Sequence, residues 1–112
     1  MDPIHKKVLA NKTGLIMERI SNPVVLSGHL AVLFSTSDKE EIDAKTKQYG
    51  ATIGTQTLLS LLEKRGPKAF QHFIHVLCNP QLKLEDLAED LEQEDRKLRG
   101  KPGKFRDFET LR

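Results

Sequence analysis

Apolar residues recur along this chain at the three- and four-residue spacing of helices that turn one face toward a core. The clearest set, at positions i, i+3, i+4 and i+7, is Phe70, Phe73, Ile74 and Leu77. The same spacing is repeated by Leu84, Leu87, Ala88 and Leu91. Because this period places each set on one side of a helix, the sequence predicts two consecutive amphipathic helices there.

The first predicted helix begins at Asp2-Pro3, where Asp suits the N-cap and Pro suits the first turn. Its apolar residues fall on two stripes that are out of phase. One stripe holds Ile4, Val8 and Leu15, and the other holds Leu9, Ile16 and Ile20. A kink near Thr13-Gly14 would let both stripes face one core.

The next two helices are predicted from their end signals. The second begins at Ser21-Asn22-Pro23, by the same N-cap and proline logic, and runs to about Phe34. The third begins with a capping box, in which Ser37 accepts from the backbone and Glu40 reaches back, and extends to about Lys47. Tyr49-Gly50 then ends it.

The fourth helix is predicted from about Thr52 to Lys64, although Gly54 within it costs about 1 kcal/mol against Ala. A sharp corner follows. Gly66 suits the left-handed position just past a helix end, and Pro67 suits the first position of the fifth helix. The sixth helix carries the leucine stripe that begins at Leu84.

These elements predict an all-α fold, a six-helix antiparallel bundle with a kinked first helix. Residues 1–93 are expected to form the bundle, and residues 94–112 a helix extension and a flexible linker or tail. In the tail, Phe105, Phe108 and Leu111 are spaced at threes. That spacing fits a short docking motif, but such a tail is more often a simple linker.

Composition narrows the class of protein. A length of 112 residues indicates one domain, and with 38% apolar residues and no Trp its core is built from Leu, Ile, Val and Phe. The formal net charge of +2 does not by itself call for nucleic acid or a membrane. A single cysteine, Cys78, excludes an intrachain disulfide and favours a reducing compartment. With no signal peptide or spanning apolar run in this sequence, we expect a cytoplasmic protein, with the nucleus as the other compartment.

Catalytic and metal-binding patterns are weak in this sequence. Cys78 follows Leu77 at the end of an apolar helix, so it is expected to be a small buried hydrophobe rather than a nucleophile. His72 and His75 lie one turn apart but lack a third ligand, and we place them at the bundle surface. His5 and His29 are isolated in the sequence. We therefore expect no catalytic residues, no metal site and no cofactor.

A small helical DNA-binding domain is the remote alternative. The first predicted helix carries Lys6, Lys7, Lys12 and Arg19. The carboxylates between positions 38 and 43 counter that basic field, and no basic and aromatic surface is evident. We therefore expect no nucleic-acid partner.

The corner Lys64-Arg65-Gly66-Pro67-Lys68-Ala69-Phe70, with Phe73 and Leu77, resembles the junction of helices four and five in caspase recruitment domains (CARDs). These are death-fold domains, and the likeness is strongest to those of initiator caspases and their adaptor. It covers about residues 2–92, and Glu41-Ile42-Asp43-Ala44 resembles the helix-three segment of the family. The first helix of CARDs is typically kinked, as the phase shift predicts here.

The resemblance implies a non-enzymatic module that binds other CARDs through complementary charge and so gathers caspases in apoptotic or inflammatory signalling. The implied acidic face consists of Asp38, Glu40, Glu41 and Asp43. The implied basic face consists of Lys6, Lys7, Lys12 and Arg19, and a possible secondary face consists of Lys64, Arg65 and Lys68. The expected partner is an adaptor, an apoptosome-like scaffold or a caspase, and self-assembly into helical oligomers is a further expectation.

The chain departs from the family at several surface positions. Ser27 stands about where some relatives carry an acid, and Thr13, Thr52 and Gln56 occupy positions that are basic in some initiator-caspase CARDs. The resemblance favours the prodomain of an initiator caspase, and the alternative is a CARD-only adaptor or decoy. The second predicted helix is too apolar to bury every side chain, which indicates either surface scatter or a partly hydrophobic contact face.

Overall fold

The computed structural model describes residues 1–100, and within that range it contains seven α-helices and no strand. The helices are α1 (Pro3–Asn11), α2 (Thr13–Arg19), α3 (Pro23–His29), α4 (Thr36–Tyr49), α5 (Ala51–Leu62), α6 (Ala69–Leu77) and α7 (Glu85–Leu98). The all-α prediction is confirmed. The predicted count of six helices is not confirmed, because the segment predicted as one kinked helix forms both α1 and α2.

The break between α1 and α2 falls at Lys12, one residue before the predicted kink. Lys12 is both the C-cap of α1 and the N-cap of α2, with φ −107° and ψ 12°. The change of direction buries Val8 and Leu9 of α1 together with Ile16 of α2. At the start of α1, Asp2 accepts a hydrogen bond from the Ile4 amide at 2.8 Å, as an N-cap should.

α3 begins where the sequence predicts, with the Asn22 side chain accepting from the Val25 amide at 3.2 Å. Its predicted end near Phe34 is wrong, because α3 stops at His29. Beyond it the backbone tightens into turns, in which the Leu33 amide donates to the Leu30 carbonyl at 2.9 Å. These turns bring both Leu30 and Phe34 into the core.

The capping box of α4 is formed by Ser35 and Asp38, not by Ser37 and Glu40 as predicted. The Ser35 hydroxyl accepts from the Asp38 amide at 3.1 Å, and the Asp38 carboxylate accepts from the Ser35 amide at 3.0 Å. This earlier start turns Asp38 inward, while Glu40 is exposed. α4 ends at Tyr49, and its C-cap Gly50 has a φ of +99°, in the region that favours glycine.

The corner between α5 and α6 is partly as predicted. Gly66 has a φ of +97°, as the prediction of a left-handed residue requires, but α5 ends at Leu62 and Gly66 does not stand directly past the helix end. The placement of Pro67 as the first helical residue is wrong, because α6 begins at Ala69. Pro67 and Lys68 lie in a turn that the Ala69 amide closes by donating to the Gly66 carbonyl at 3.3 Å.

All seven helices contribute to one apolar core made mainly of Leu, Ile and Phe. Both predicted stripes are buried: Phe70, Phe73, Ile74 and Leu77 on α6, and Leu84, Leu87, Ala88 and Leu91 at the start of and along α7. The burial predicted for Cys78 is wrong, because its thiol lies past the end of α6 and is exposed. His72 and His75 are exposed, as predicted.

α7 runs without interruption across the predicted boundary between residues 93 and 94 and ends at Leu98. The apolar triplet Phe105, Phe108 and Leu111 lies outside the described residues. Among the helices of residues 1–100, none combines the length and the apolar character needed to cross a lipid bilayer.

Candidate interaction surfaces

Asp38, the first residue of the predicted acidic face, is only 7% exposed. Besides closing the α4 capping box, its carboxylate lies 2.6 Å from the guanidinium of Arg65, at the α5–α6 corner. The Asp38 and Arg65 charges therefore neutralise each other within the fold. Two residues predicted to bind partners on separate faces instead join α4 to that corner.

Glu40 and Glu41, which we term the α4 carboxylate pair, are exposed on the outer side of α4. Asp43 is half-buried and pairs with Lys47 one turn later at 3.0 Å. Such i,i+4 pairs hold an exposed helix by only a few tenths of a kcal/mol. The acidic face expected from the sequence is thus represented at the surface mainly by the α4 carboxylate pair.

Lys6 and Lys7, which we term the α1 lysine pair, are exposed on α1. Lys12 is half-buried at the break between α1 and α2. Arg19 is engaged within the fold, since its guanidinium binds both carboxylate oxygens of Asp86 on α7, one of them at 2.7 Å. This contact raises the pKa of Arg19 and lowers the pKa of Asp86 below its usual value.

Within residues 1–100, two lysines of the secondary face at the α5–α6 corner have no ion-pair partner. Lys64 and Lys68 are exposed, whereas Arg65 is turned toward Asp38. Lys68 is followed on the outer side of α6 by Gln71, His72 and His75, which line one shallow surface depression with it. The corner therefore presents two lysines to solvent, whereas the charge of Arg65 is paired with Asp38.

The segment that contains α3, from Ile20 to Ser37, carries no charged side chain of the Lys, Arg, Asp or Glu type. Within it Val25 is 47% exposed and Val32 is 84% exposed, while Leu26 and Leu30 are buried. The expectation that this apolar segment cannot bury all its side chains is confirmed.

α7 is strongly acidic, a property that its leucine spacing does not indicate. Seven carboxylate side chains lie between Glu85 and Asp95. Glu85, Glu89 and Glu92 form an exposed stripe, whereas Glu94 accepts a hydrogen bond from the Asn11 side chain at 3.0 Å. The run of carboxylates is visible in the sequence, whereas the leucine spacing predicts only the helix and its buried side.

A second feature that the sequence did not reveal joins the two ends of the described chain. Its members, which we term the terminal clasp, are Asp2, His5, Asp95 and Arg99. Arg99 lies 3.1 Å from the Asp2 carboxylate and 2.9 Å from the Asp95 carboxylate. His5, expected to be isolated, is only 7% exposed and stacks on Phe70 with ring centroids 4.2 Å apart.

The charges of the clasp perturb each other. The Asp95 and Asp2 carboxylates raise the pKa of Arg99. The pKa of Asp2 is lowered by the hydrogen bond from the Ile4 amide and next by Arg99. Because Asp2 is also the N-cap of α1, one carboxylate both starts the first helix and secures the end of the last.

No family model, no curated protein and no solved structure matches this chain. Within residues 1–100, no group of three or more His, Cys, Asp or Glu side chains is arranged to hold a metal ion.

Proposed function

We propose that residues 1–93 form a CARD-type interaction module, which binds other CARDs and does not catalyse a reaction. The resemblance of the segment from Lys64 to Leu77 supports this, together with the all-helical fold. The break at Lys12 supports it as well, since α1 and α2 taken as one interrupted helix would bring the count to six. A broken first helix is what the resemblance implies.

The observation that carries the proposal is the separation of two exposed charge pairs of opposite sign. Within residues 1–100, neither the α1 lysine pair nor the α4 carboxylate pair has an ion-pair partner. The principal packing partners of α1 are α7 and α2, whereas those of α4 are α5 and α3. The two pairs therefore belong to different parts of the bundle.

Complementary patches on different parts of one molecule make a heterologous contact. Such a contact joins head to tail and propagates unless its rotation closes a ring. Each exposed ion pair contributes only about 0–1 kcal/mol, so single contacts are weak and an assembly gains strength from multivalency. This is the physical basis on which a small bundle clusters caspases.

The module's place in a larger protein is a separate proposal, which follows from the likeness of the corner to initiator-caspase CARDs. We propose that it is the prodomain of an initiator caspase, and a CARD-only adaptor or decoy is the alternative. The transcript beyond the codon for Arg112 distinguishes the two. A Gln-Ala-Cys-type protease motif there supports the prodomain, whereas an immediate stop codon supports the adaptor or decoy.

The charge-pair assignment is tested with two variants measured by sedimentation velocity and by capture on immobilised CARDs. Glu40→Lys/Glu41→Lys and Lys6→Glu/Lys7→Glu should each lose association, because each removes one half of the contact. Asp38 stays unchanged, since its replacement would break the α4 cap. When the two variants are mixed, association should return, because the α4 carboxylate pair of one variant meets the α1 lysine pair of the other and their two reversed surfaces are complementary as well.

Glu85→Lys/Glu89→Lys on the exposed stripe of α7 is the matched control, since it changes the net charge by the same amount. It should associate as the wild-type chain does. Equal loss in the control would show that net charge and not the α4 surface controls association. Association that survives Glu40→Lys/Glu41→Lys would refute the assignment of the acidic surface.

A further inference from the structure

His5 is the one buried histidine among residues 1–100, and it stands at the centre of the terminal clasp. Its Nε2 atom lies 3.1 Å from Nη2 of Arg99 and 3.5 Å from Oδ1 of Asp95. Its Nδ1 atom is buried and has no hydrogen-bond partner. One face of the imidazole ring stacks on the nearly parallel ring of Phe70.

A hydrogen bond between Arg99 and His5 requires one protonation state of the histidine. A guanidinium group offers only donors, so Nε2 of His5 has to be the acceptor in that bond. An accepting Nε2 carries no proton, so the bond requires a neutral ring with its hydrogen on Nδ1. Nδ1 carries a hydrogen in both the neutral and the charged ring. The missing hydrogen-bond partner of Nδ1 therefore costs the same in both and favours neither protonation state.

Adding a proton to Nε2 reverses the hydrogen-bonding role of this nitrogen. The nitrogen becomes a donor that faces the donors of Arg99, and two positive groups then stand 3.1 Å apart. The Asp95 carboxylate lies close enough to accept the new hydrogen with a small movement. It also lines a cavity of about 400 Å³, shared with His5 and Phe70, that leaves room for that movement.

We propose that the terminal clasp is a proton-operated switch, in which neutral His5 holds Arg99 and protonated His5 takes Asp95 from it. Histidine is the side chain that ordinarily changes charge between pH 5 and 8. Arg99 secures the last turn of α7, where its amide donates to the Asp95 carbonyl at 3.1 Å. The switch thus sets how firmly Arg99 ties the end of α7 to the start of α1.

The surroundings are compatible with either charge on His5. Carboxylates face it from Asp2 at the start of α1 and from Asp95 on α7, and Glu92 of α7 lines the same cavity. The cations are Arg99 and, along the cavity, Arg96. α6 contributes the uncharged ring of Phe70 and two further titratable groups, His75 and Cys78. His75 is therefore the group whose titration must be separated from that of His5.

The test is an NMR titration of the full chain from pH 8 to pH 5, following the His5 ring nitrogens and the Arg99 side-chain nitrogens. At pH 8 the ring should show the hydrogen on Nδ1. On acidification the Arg99 signals should shift with the same midpoint as His5. This co-titration should be lost in His5→Gln and kept in the matched control His75→Gln.

Several results would overturn the switch. One is a hydrogen on Nε2 at pH 8, which needs no variant to detect and so stands even if His5→Gln fails to fold. Another is an Arg99 signal that stays constant while His5 titrates. A third is an Arg99 shift that disappears in His75→Gln, because the titrating group would then be His75.

Discussion

At the scale of single residues, Gly54 shows how closely α4 and α5 approach. It lies inside α5, and a Cβ built there would overlap the side-chain oxygen of Thr46 on α4 and crowd Pro23 of α3. The Thr46 hydroxyl cannot simply turn away, because it donates to the Ile42 carbonyl at 2.7 Å. The glycine that lowers the helix propensity of α5 is therefore required by the packing of α5 on α4.

We expect Gly54→Ala to lower the free energy of unfolding by about 1–3 kcal/mol, the usual cost of overpacking a tight site. This loss should appear although Ala is favoured over Gly in a helix by about 1 kcal/mol. Urea unfolding followed by circular dichroism measures the sum of the overpacking cost and the gain in helix propensity.

Gly14→Ala in α2 is the matched control, since nothing lies within 4 Å of a Cβ at that position. Helix propensity alone then applies, and this variant should gain up to about 1 kcal/mol. Two changes of the same sign would contradict the close approach of α4 and α5 at Gly54.

At the scale of elements, the start of α4 makes a contact with a residue far away in the sequence. Both Ser35-x-x-Asp38 and Ser37-x-x-Glu40 have the spacing of a capping box. The first is formed, and in it Asp38 also meets Arg65 of the α5–α6 corner. A tertiary contact thus accompanies a choice that local spacing leaves open.

Asp38→Ala should therefore lower the free energy of unfolding by about 1–2 kcal/mol, the usual cost of losing a helix cap. The ion pair is not added in full, because the Arg65 side chain is 33% exposed and solvent screens it. Glu40→Ala on the same helix should stay within about 0.5 kcal/mol of the wild-type chain. A larger loss in Glu40→Ala than in Asp38→Ala would restore the capping box first predicted from the sequence.

The sequence was sufficient where the signal is local. The stripes at Phe70 and Leu84, the caps at Asp2 and Asn22, and the left-handed Gly66 all depend on residues within a few positions of one another. The clasp could not be found in this way, since His5 and Arg99 are separated by 94 positions. Nor does residue spacing reveal that Asp38 and Arg19 form ion pairs within the fold, because tertiary packing determines their partners.

At the scale of the whole molecule, charged pairs tie the last helix to the first two. Arg19 of α2 holds Asp86 near the start of α7, and Asp2 before α1 holds Arg99 past its end. α7 thus has an ionic contact with the N-terminal region at each of its ends. Both contacts depend on carboxylates, and both should therefore respond to acid.

The sign of that response follows from the pKa shifts. Arg19 lowers the pKa of Asp86, and the Ile4 amide and Arg99 lower that of Asp2. Unfolded, each carboxyl titrates near its ordinary value of about 3.9. A carboxyl whose pKa is lower in the fold adds stability above that value, and the gain is lost as the pH falls through the folded pKa.

Stability measured by urea midpoints should consequently fall as the pH drops from about 4 toward 2.5, a window below the range in which histidines titrate. Asp2→Asn/Asp86→Asn should be less stable than the wild-type chain at pH 6 and should lose less over that window. Glu85→Gln/Glu89→Gln removes two exposed carboxylates of α7 that have no ion-pair partner within residues 1–100, and should keep the wild-type slope. Added salt should reduce the difference between the wild-type chain and Asp2→Asn/Asp86→Asn, because the contacts are exposed. If the wild-type and the doubly substituted chains instead show equal slopes, these two carboxylates do not couple the ends of α7 to folding.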